Sequence, residues 1–422
     1  MTEKIISFAL KNRLIVLILA AALFVWGIFA LQRNPIDAIP DLSENQVIVL
    51  TEWMGRGPQV IEDQVTYPLI SNLQGIPKVK NIRGNSMFGM SFVFIIFEDN
   101  VDIYWARTRV LERLNFAQRL LPPGITPALG PDGTSVGHVF WYTLDAKGMD
   151  LGEQRALQDW YIKFALQNVP GVSEVASFGG FQKQYQVVID PIKLAYYNLG
   201  LDQIITSIKK NNNDVGGGKF EMSDMGYIVR GQGYIKNINE IEDIAIGHFN
   251  TIPVRIRDVA TVQMGGDLRL GIFDENGMGE AVGGIVVMRY GQNTNEVINA
   301  VKARMKEVEK GLPEGVKFKV AYDRSVLIGE AIKSVRKTLI EEMIMVSVVV
   351  LIFLFHWKSA LIILIQLPVS IAISFILLDI FGISSNIMSL TGIVLAIGVI
   401  VDAGIVMVEN SYRHLSEEIY TE

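Results

Sequence analysis

An aspartate inside an apolar run near the end of the chain is the residue with the clearest chemical potential. The stretch reads AIGVIVDAGIVMVEN, and Asp402 is its only charge before Glu409. A carboxylate at the centre of a membrane helix costs about 2.5–3.5 kcal/mol on insertion scales, so it needs a partner or a proton. Gly398, Ala403 and Gly404 would let a second helix approach closely. We therefore expect Asp402 to face the interior of a helix bundle.

Two roles fit such a carboxylate. In the structural one, Asp402 only caps or hydrogen-bonds a neighbouring helix. In the functional one it carries protons, because an apolar setting disfavours the charged form of a carboxylate. Proton carriage is the favoured hypothesis.

Other catalytic chemistry has little support in the sequence. The histidines are isolated and show no HExxH spacing, which argues against a histidine metal site; they are His138, His248, His356 and His414. No Gly-x-Ser-x-Gly elbow is present, and the absence of cysteine excludes thiolate sites and disulfides. A hydrolytic enzyme is not indicated.

Methionine is the remaining soft ligand, and the chain has 15 of them. A thioether suits Cu(I), but the same side chain also fills gaps in apolar cores. Met87 with Met90 and Met222 with Met225 share a three-residue spacing. For these pairs, packing in a core or loop is the favoured interpretation and metal binding the alternative.

Composition indicates a protein that is partly in a membrane and partly outside it. Of 422 residues, 50% are hydrophobic and 19% are charged, which is too apolar for a typical soluble protein and too polar for an all-membrane one. The net charge of −6 offers no basic face for nucleic acid.

Four apolar runs are long enough to be considered as membrane spans. They are Leu14 to Leu31, Leu339 to Phe355, Ala360 to Phe381 and Ile387 to Val408. Lys4, Lys11 and Arg13 precede the first run, so the positive-inside rule places the N-terminus in the cytoplasm. The alternative for this run is a cleaved signal peptide, whose apolar core is typically shorter.

The block between the first two spans contains a repeat. LQGIPKVKNI and LQNVPGVSEV each follow an amphipathic helical pattern and precede a strand pattern. The first copy has the order strand, helix, strand, strand, helix, which is typical of a split βαβ domain. The second copy is interrupted by a segment containing DVGGGKFE, where a loop or hairpin is favoured over a phosphate-binding loop.

The fold prediction is an α+β membrane protein: a transmembrane helix bundle of four spans with a periplasmic block of split βαβ (ferredoxin-like) porter subdomains and an inserted docking module. The predicted boundaries are 1–31 for the first span, 32–128 for porter subdomain 1, 129–190 with 267–325 for porter subdomain 2, 191–266 for the docking module, 339–410 for spans two to four, and 411–422 for the start of a cytoplasmic remainder.

The chain resembles the resistance-nodulation-division (RND) proton-driven exporters, most of all their heavy-metal branch and the copper and silver pumps within it. The resemblance is carried by motifs spread along the chain: NPIDAIPDLSENQVIV, PQVIEDQVTYPL, DIYWARTRVLERLN, LQDWYIKFAL, KQYQVVIDP, YDRSVLI and NIMSLTGIVLAIGVIVDAGIVMVEN.

This resemblance implies a secondary transporter, not an enzyme, that exchanges protons for a transported metal ion and holds no bound cofactor. It implies a multi-pass inner-membrane protein with a large periplasmic domain. The implied assembly is a homotrimer with a periplasmic adaptor and an outer-membrane channel. Asp402 matches the family's essential membrane carboxylate. Since family members are longer, the chain is expected to be the N-terminal part of such a pump.

The resemblance also indicates a substrate. Drug-exporting relatives have a second aspartate where this chain has Ala403, and divalent-metal relatives have an acid where it has Ala396. Both differences favour monovalent copper or silver. Met388 and Met407 match methionines of the proposed metal path in copper pumps, whereas Ile400 and, in the soluble block, Leu268 replace methionines of those pumps. The alternatives are an RND exporter of amphiphilic drugs or lipids and a non-transporting periplasmic scaffold, which would not need a buried acid.

Overall fold

A computed structural model describes residues 7–9, 11–222, 225–269, 271–354 and 357–419. It contains both helices and strands, as predicted, and divides into two compact units. Unit 1 comprises residues 1–145, 162–176 and 284–422, and unit 2 comprises residues 146–161 and 177–283. The porter and docking boundaries given above stay predictions.

Unit 1 begins with a long apolar helix and continues into a four-stranded sheet with helices. Its first elements are α1 (Arg13–Arg33), β1 (Gln46–Glu52), α2 (Pro58–Ile61), a π-helical segment (Glu62–Thr66), α3 (Tyr67–Leu73), β2 (Val79–Met87), β3 (Met90–Phe97), α4 (Ile103–Ala117) and β4 (Ala128–Leu129).

The first sheet has the strand order β2-β3-β1-β4 with antiparallel neighbours. Side chains alternate along β1, where Val47 and Val49 are fully buried and their neighbours are half-buried. The helices α3 and α4 contribute Leu69 and Val110 to the same core. Asp102 caps α4 by accepting a hydrogen bond from the Trp105 amide at 2.7 Å. This core fixes the hairpin formed by β2 and β3.

A second four-stranded sheet has the order β14-β5-β13-β6. The elements of this part of the chain are β5 (His138–Ala146), α5 (Leu151–Leu157, which belongs to unit 2), α6 (Lys163–Gln167), β6 (Val172–Phe178), β13 (Gly283–Met288), α11 (Thr294–Glu309) and β14 (Val316–Asp323). Val286 of β13 and Ile298 of α11 are fully buried. Asn293 caps α11, whose first residue is Thr294.

Among its described residues, unit 2 has three two-stranded sheets and its own apolar core. The pairs are β7 with β12, β8 with β9 and β10 with β11. The bounds are β7 (Lys183–Ile189), α7 (Pro191–Tyr196), α8 (Leu201–Asn211), β8 (Val215–Met222), β9 (Met225–Gly231), α9 (Ile238–Glu242), β10 (Ala245–Phe249), β11 (Ile252–Arg255), α10 (Ile256–Val259) and β12 (Ala260–Gly266). DVGGGKFE lies in and just before β8, so the predicted hairpin is confirmed there.

Three long helices complete unit 1: α12 (Arg324–Leu354), α13 (Trp357–Ile380) and α14 (Ile387–Ile419). Within the described residues, two helices are long and apolar enough to cross a membrane, Arg13–Arg33 and Ile387–Ser411. They contain the first and fourth predicted spans. Of the four spans predicted from the sequence, the structure supports these two.

The other two predicted spans lie largely in α12 and α13. Within the described part of α13, the apolar segment is Ile365–Ile380, which is shorter than the two helices named above. The α12 helix begins at Arg324 and carries many charges in its first half. Phe355, the end of the second predicted span, lies outside the described residues, and both spans stay predictions.

The helices α1 and α13 approach closely at a glycine. A Cβ built on Gly27 would lie 2.4 Å from the Ala372 Cβ and 2.7 Å from its Cα. No real Cβ contact is this short, so only glycine permits the observed separation of the two backbones. Small residues play this role where membrane helices meet.

Gly27→Ala should therefore destabilise the helix bundle. The added methyl forces α1 and α13 apart, and overpacking of this kind costs about 1–3 kcal/mol. Thermal unfolding of the detergent-solubilised chain would measure the loss. Gly392→Ala in α14 is the matched control, because a Cβ there meets nothing within 4 Å. A Gly27→Ala protein as stable as wild type would contradict the close approach.

Candidate functional site

The helix α14 carries all three residues that the sequence analysis assigned to transport. One of its faces packs in the bundle, where Ile397 and Val401 are buried against Leu367 of α13 and the half-buried Met343 of α12. The opposite face is exposed in the described chain. This division into two faces follows from the helical repeat of 3.6 residues.

Asp402 lies on the exposed face of α14. It is the neighbour of buried Val401, but its side chain points away from the packed side. Across the described ranges, no hydrogen bond or ion pair to its carboxylate is found. Because α12 and α13 pack on the other side of α14, the described part of the chain leaves Asp402 uncovered. That Asp402 faces the interior of a larger bundle stays a prediction.

Met388 and Met407 are also exposed, by 69% and 63%. Met388 precedes Asp402 by fourteen residues, which places it on the same face but about 21 Å away along the axis. Met407 follows Asp402 by five residues and is therefore rotated by about 140° from it. The structure does not bring the three residues together.

A polar residue that the sequence analysis missed lies close to this part of α14. The Oε1 atom of Gln366 in α13 would be 2.7 Å from a Cβ on Gly404, so the carboxamide fills the space that glycine leaves. Gln366 interrupts an otherwise apolar run. A carboxamide in such a run is costly to bury without partners, which is the signal that could have identified it.

A second cluster joins the ends of several helices, and we call it the junction: Asp37, Val136, Thr294, Arg324 and Ser385. Arg324 is the first residue of α12 and its side chain is only 3% exposed. Its Nε lies 2.8 Å from Asp37 Oδ1, and its Nη1 donates to the Val136 carbonyl. Thr294 Oγ1 donates to Asp37 Oδ2 at 2.8 Å.

The junction also holds the loop between α13 and α14. The Asp37 amide donates to the Ser385 carbonyl at 2.9 Å, and the Ser385 amide donates to the Pro35 carbonyl at 3.1 Å. Nearby, the Asn34 side chain donates to the Ile383 carbonyl at 3.1 Å. A cavity of about 580 Å³ borders these residues. The end of α1 is therefore fixed to α11, to α12 and to the loop that leads into α14.

Asp323, beside the junction, has a pKa below its ordinary value. Burial by itself would raise the pKa of this carboxyl, but hydrogen bonds from Lys302 and Ser325 outweigh the burial. The Ser325 hydroxyl donates at 2.6 Å and its amide at 2.9 Å. Lys302 of α11 also forms an ion pair with the carboxylate. This contact fixes the end of β14 to α11.

Comparison with known proteins gives a family for this arrangement. The sequence profile of the AcrB/AcrD/AcrF family matches residues 5–422. The chain belongs to this family. The resemblance to RND exporters found in the sequence is confirmed, and efflux and transport are the family's functions.

Proteins similar in sequence to this chain include metal-resistance proteins. It is 46% identical over 420 residues to the cation efflux system protein CusA of Escherichia coli (strain K12), which covers 99% of this chain and 40% of CusA. It is 37% identical over 425 residues to the cobalt-zinc-cadmium resistance protein CzcA of Cupriavidus metallidurans, with the same coverage. The chain spans about two fifths of the length of these relatives.

The fold has a counterpart among solved structures. The crystal structure of a heavy metal efflux pump (crystal form II) superposes with a TM-score of 0.84 and 34% sequence identity. The match covers 97% of this chain and 41% of the pump. The chain therefore has the fold of the corresponding part of a heavy-metal RND pump.

Replacing Arg324 should destabilise the protein strongly. Arg324→Met leaves the carboxylate of Asp37 without its cation, and breaking a buried pair in this way costs about 3–5 kcal/mol. Lys333→Met in the same helix is the control, since Lys333 pairs with Glu330 at an exposed position where such pairs contribute about 0–1 kcal/mol. Denaturant unfolding in detergent measures both. Equal effects would refute the special role of the junction.

The lowered pKa of Asp323 predicts a loss of stability in acid. The folded state binds its proton less readily than the unfolded chain, whose pKa is about 3.9. The contribution is therefore full above about pH 5 and disappears as the pH falls through the lower folded value. Asp323→Asn should lower the unfolding temperature at pH 7 and reduce its further decline below pH 5. An unchanged slope between pH 5 and pH 3 would contradict this assignment.

Proposed function

We propose that this chain is the N-terminal part of a proton-driven exporter of monovalent copper or silver in the inner membrane. The observation that carries the proposal is Asp402, a carboxylate in the middle of a helix long and apolar enough to cross a membrane. Such a group is unfavourable in lipid unless it binds a proton or meets a partner. Alternation between these states is what a proton-coupled transporter requires.

The exposed position of Asp402 is consistent with this role in a longer pump. The relatives extend well beyond the part that this chain covers. In the proposal, partner groups for Asp402 come from that uncovered part and approach the exposed face of α14. Protonation then removes the charge at Asp402 and changes how tightly the partner helices hold α14. The structural alternative, a carboxylate that only caps a neighbouring helix, needs no such cycle.

Several features support a soft monovalent cation as the substrate. The chain has no cysteine and 15 methionines, so thioethers are its only soft ligands, and these suit Cu(I). It is more similar to CusA than to the cobalt-zinc-cadmium protein CzcA. The single acid at Asp402, with Ala396 and Ala403 in place of further acids, points the same way through the resemblance.

The proposal includes the family's assembly and route. The pump acts as a homotrimer with a periplasmic adaptor and an outer-membrane channel, and takes metal from the cytoplasm or the periplasm. Met388 and Met407 contribute thioethers to the metal path in this proposal. Their separation along and around α14 means that each acts with ligands from other helices, because one ion cannot bind both.

The central test replaces the carboxylate without changing its size. Cells that express the complete transporter containing Asp402→Asn should lose tolerance to Ag(I) and Cu(I), since the amide cannot release a proton. Glu409→Gln, an exposed acid two turns further along α14, is the matched control and should retain tolerance. Growth in graded Ag(I), Cu(I) and Zn(II) measures the effect.

Each outcome of this experiment separates the hypotheses. Tolerance that survives in Asp402→Asn would overturn proton coupling at this residue. A wild-type protein that confers tolerance to amphiphilic drugs but not to metals would indicate the alternative RND substrate class. A protein that confers neither would favour the non-transporting scaffold.

A further inference from the structure

Three methionines lie together around the hairpin turn between β2 and β3. In the described part of the chain, no group of three or more histidine, aspartate or glutamate side chains is arranged to hold a metal ion. Methionine thioethers are a further class of ligand, suited to soft metal ions. Met54, Met87 and Met90 are therefore candidate ligands for a soft metal ion.

Met87 and Met90 are direct cross-strand partners at the end of the hairpin. Side chains of directly opposed residues lie on the same face of a sheet, with Cβ atoms about 4.5–5.5 Å apart. Methionine has three rotatable bonds beyond its Cα, so two thioethers at this spacing can turn toward one ion. The strand register thus supplies two ligands.

Met54 brings a third sulphur to the turn. Its Sδ lies 2.8 Å from the position that a Cβ on Gly89 would occupy, and Gly89 is the turn residue immediately before Met90. The chain around Met54 is held there by two backbone hydrogen bonds: the Trp53 amide donates to Gly89 at 2.8 Å, and the Gly89 amide donates to Arg56 at 2.9 Å. Gly89 has a φ of 72°, which favours glycine.

Packing in an apolar core does not account for these methionines. Met54 and Met87 are 47% and 49% exposed, and Met90 is only partly buried. None of them belongs to the buried core beneath the first sheet. Glu52 is the direct partner of Met90 across β1 and β3, so the two side chains lie on the same face of the sheet. Flexible, accessible thioethers next to a negative charge are suited to a soft monovalent cation.

We propose that Met54, Met87 and Met90 form a binding site for Cu(I) or Ag(I) at this hairpin. The choice of metal rests on the function proposed above, whereas the site rests on the strand pairing of Met87 with Met90 and on the contact of Met54 Sδ with Gly89. The ion would be held by thioethers at the surface of the first sheet, far along the chain from Asp402. Weak, accessible coordination of this kind suits capture and release more than permanent storage.

The chain contains a matched control for this site. Met222 and Met225 are also direct cross-strand partners at the end of a hairpin, formed by β8 and β9. Their side chains are exposed by 58% and 59%, much like that of Met87. The difference is the third sulphur that Met54 adds at Gly89. At Gly226, the glycine beside Met225, the atoms nearest to a Cβ belong to Lys219.

The test measures Ag(I) binding to the purified chain in detergent, since Ag(I) is a redox-stable probe for thioether sites. In Met54→Leu/Met87→Leu/Met90→Leu, leucine keeps the volume and removes the sulphur. We expect bound Ag(I) to fall by about one equivalent per chain, as one three-thioether site accommodates one ion. Met222→Leu/Met225→Leu should bind as wild type does. Equal binding by both variants and wild type, or equal loss in both, would overturn the proposal.

A second readout identifies the ligands directly. With the methionine methyl groups labelled with carbon-13, the resonances of Met54, Met87 and Met90 should shift on addition of Ag(I), and those of Met222 and Met225 should not. Unshifted resonances at the three positions would refute the site. Because binding to the purified chain requires no transport, failure of this site leaves the Asp402 test of export unaffected, and the reverse also holds.

Discussion

The buried ion pair between Asp37 and Arg324 is the interaction on which the arrangement of unit 1 depends. The ends of apolar helices must join polar chain, and each polar group that is buried there without a partner is costly. Arg324 begins α12, and Asp37 follows α1 by four residues. Their contact brings together two helix ends that are far apart in sequence. With Thr294, it also connects both helices to α11 and hence to the second sheet.

This arrangement has a mechanical consequence. Because Asp37 also holds Ser385 through its backbone, a shift of the loop before α14 is transmitted to the start of α11 and α12. Asp402 lies four turns further along α14. A change in the position of α14 would therefore reach α11 and the second sheet through one small cluster. Packed cores transmit such displacements since they are close to incompressible.

The sequence predicted elements better than it predicted contacts. Asp402 was identified because a charge in an apolar run is visible locally, and the repeated strand and helix patterns were visible for the same reason. The orientation of Asp402 was not predictable, because which face of α14 is covered depends on where α12 and α13 pack. The Asp37–Thr294 and Asp37–Arg324 contacts join residues more than 250 positions apart, and no local pattern marks such pairs.

The methionine site, too, could be predicted only in part from the sequence. By sequence spacing alone, the pair Met87 and Met90 is equivalent to the pair Met222 and Met225. Packing explains either pair equally well at that level. Strand register makes each pair adjacent, but only the fold places Met54 against Gly89 and so distinguishes one hairpin from the other. A soft-metal site of this type is built from a turn, a missing Cβ and a residue distant in sequence. Its chemistry can be anticipated from composition, whereas its location follows from tertiary structure.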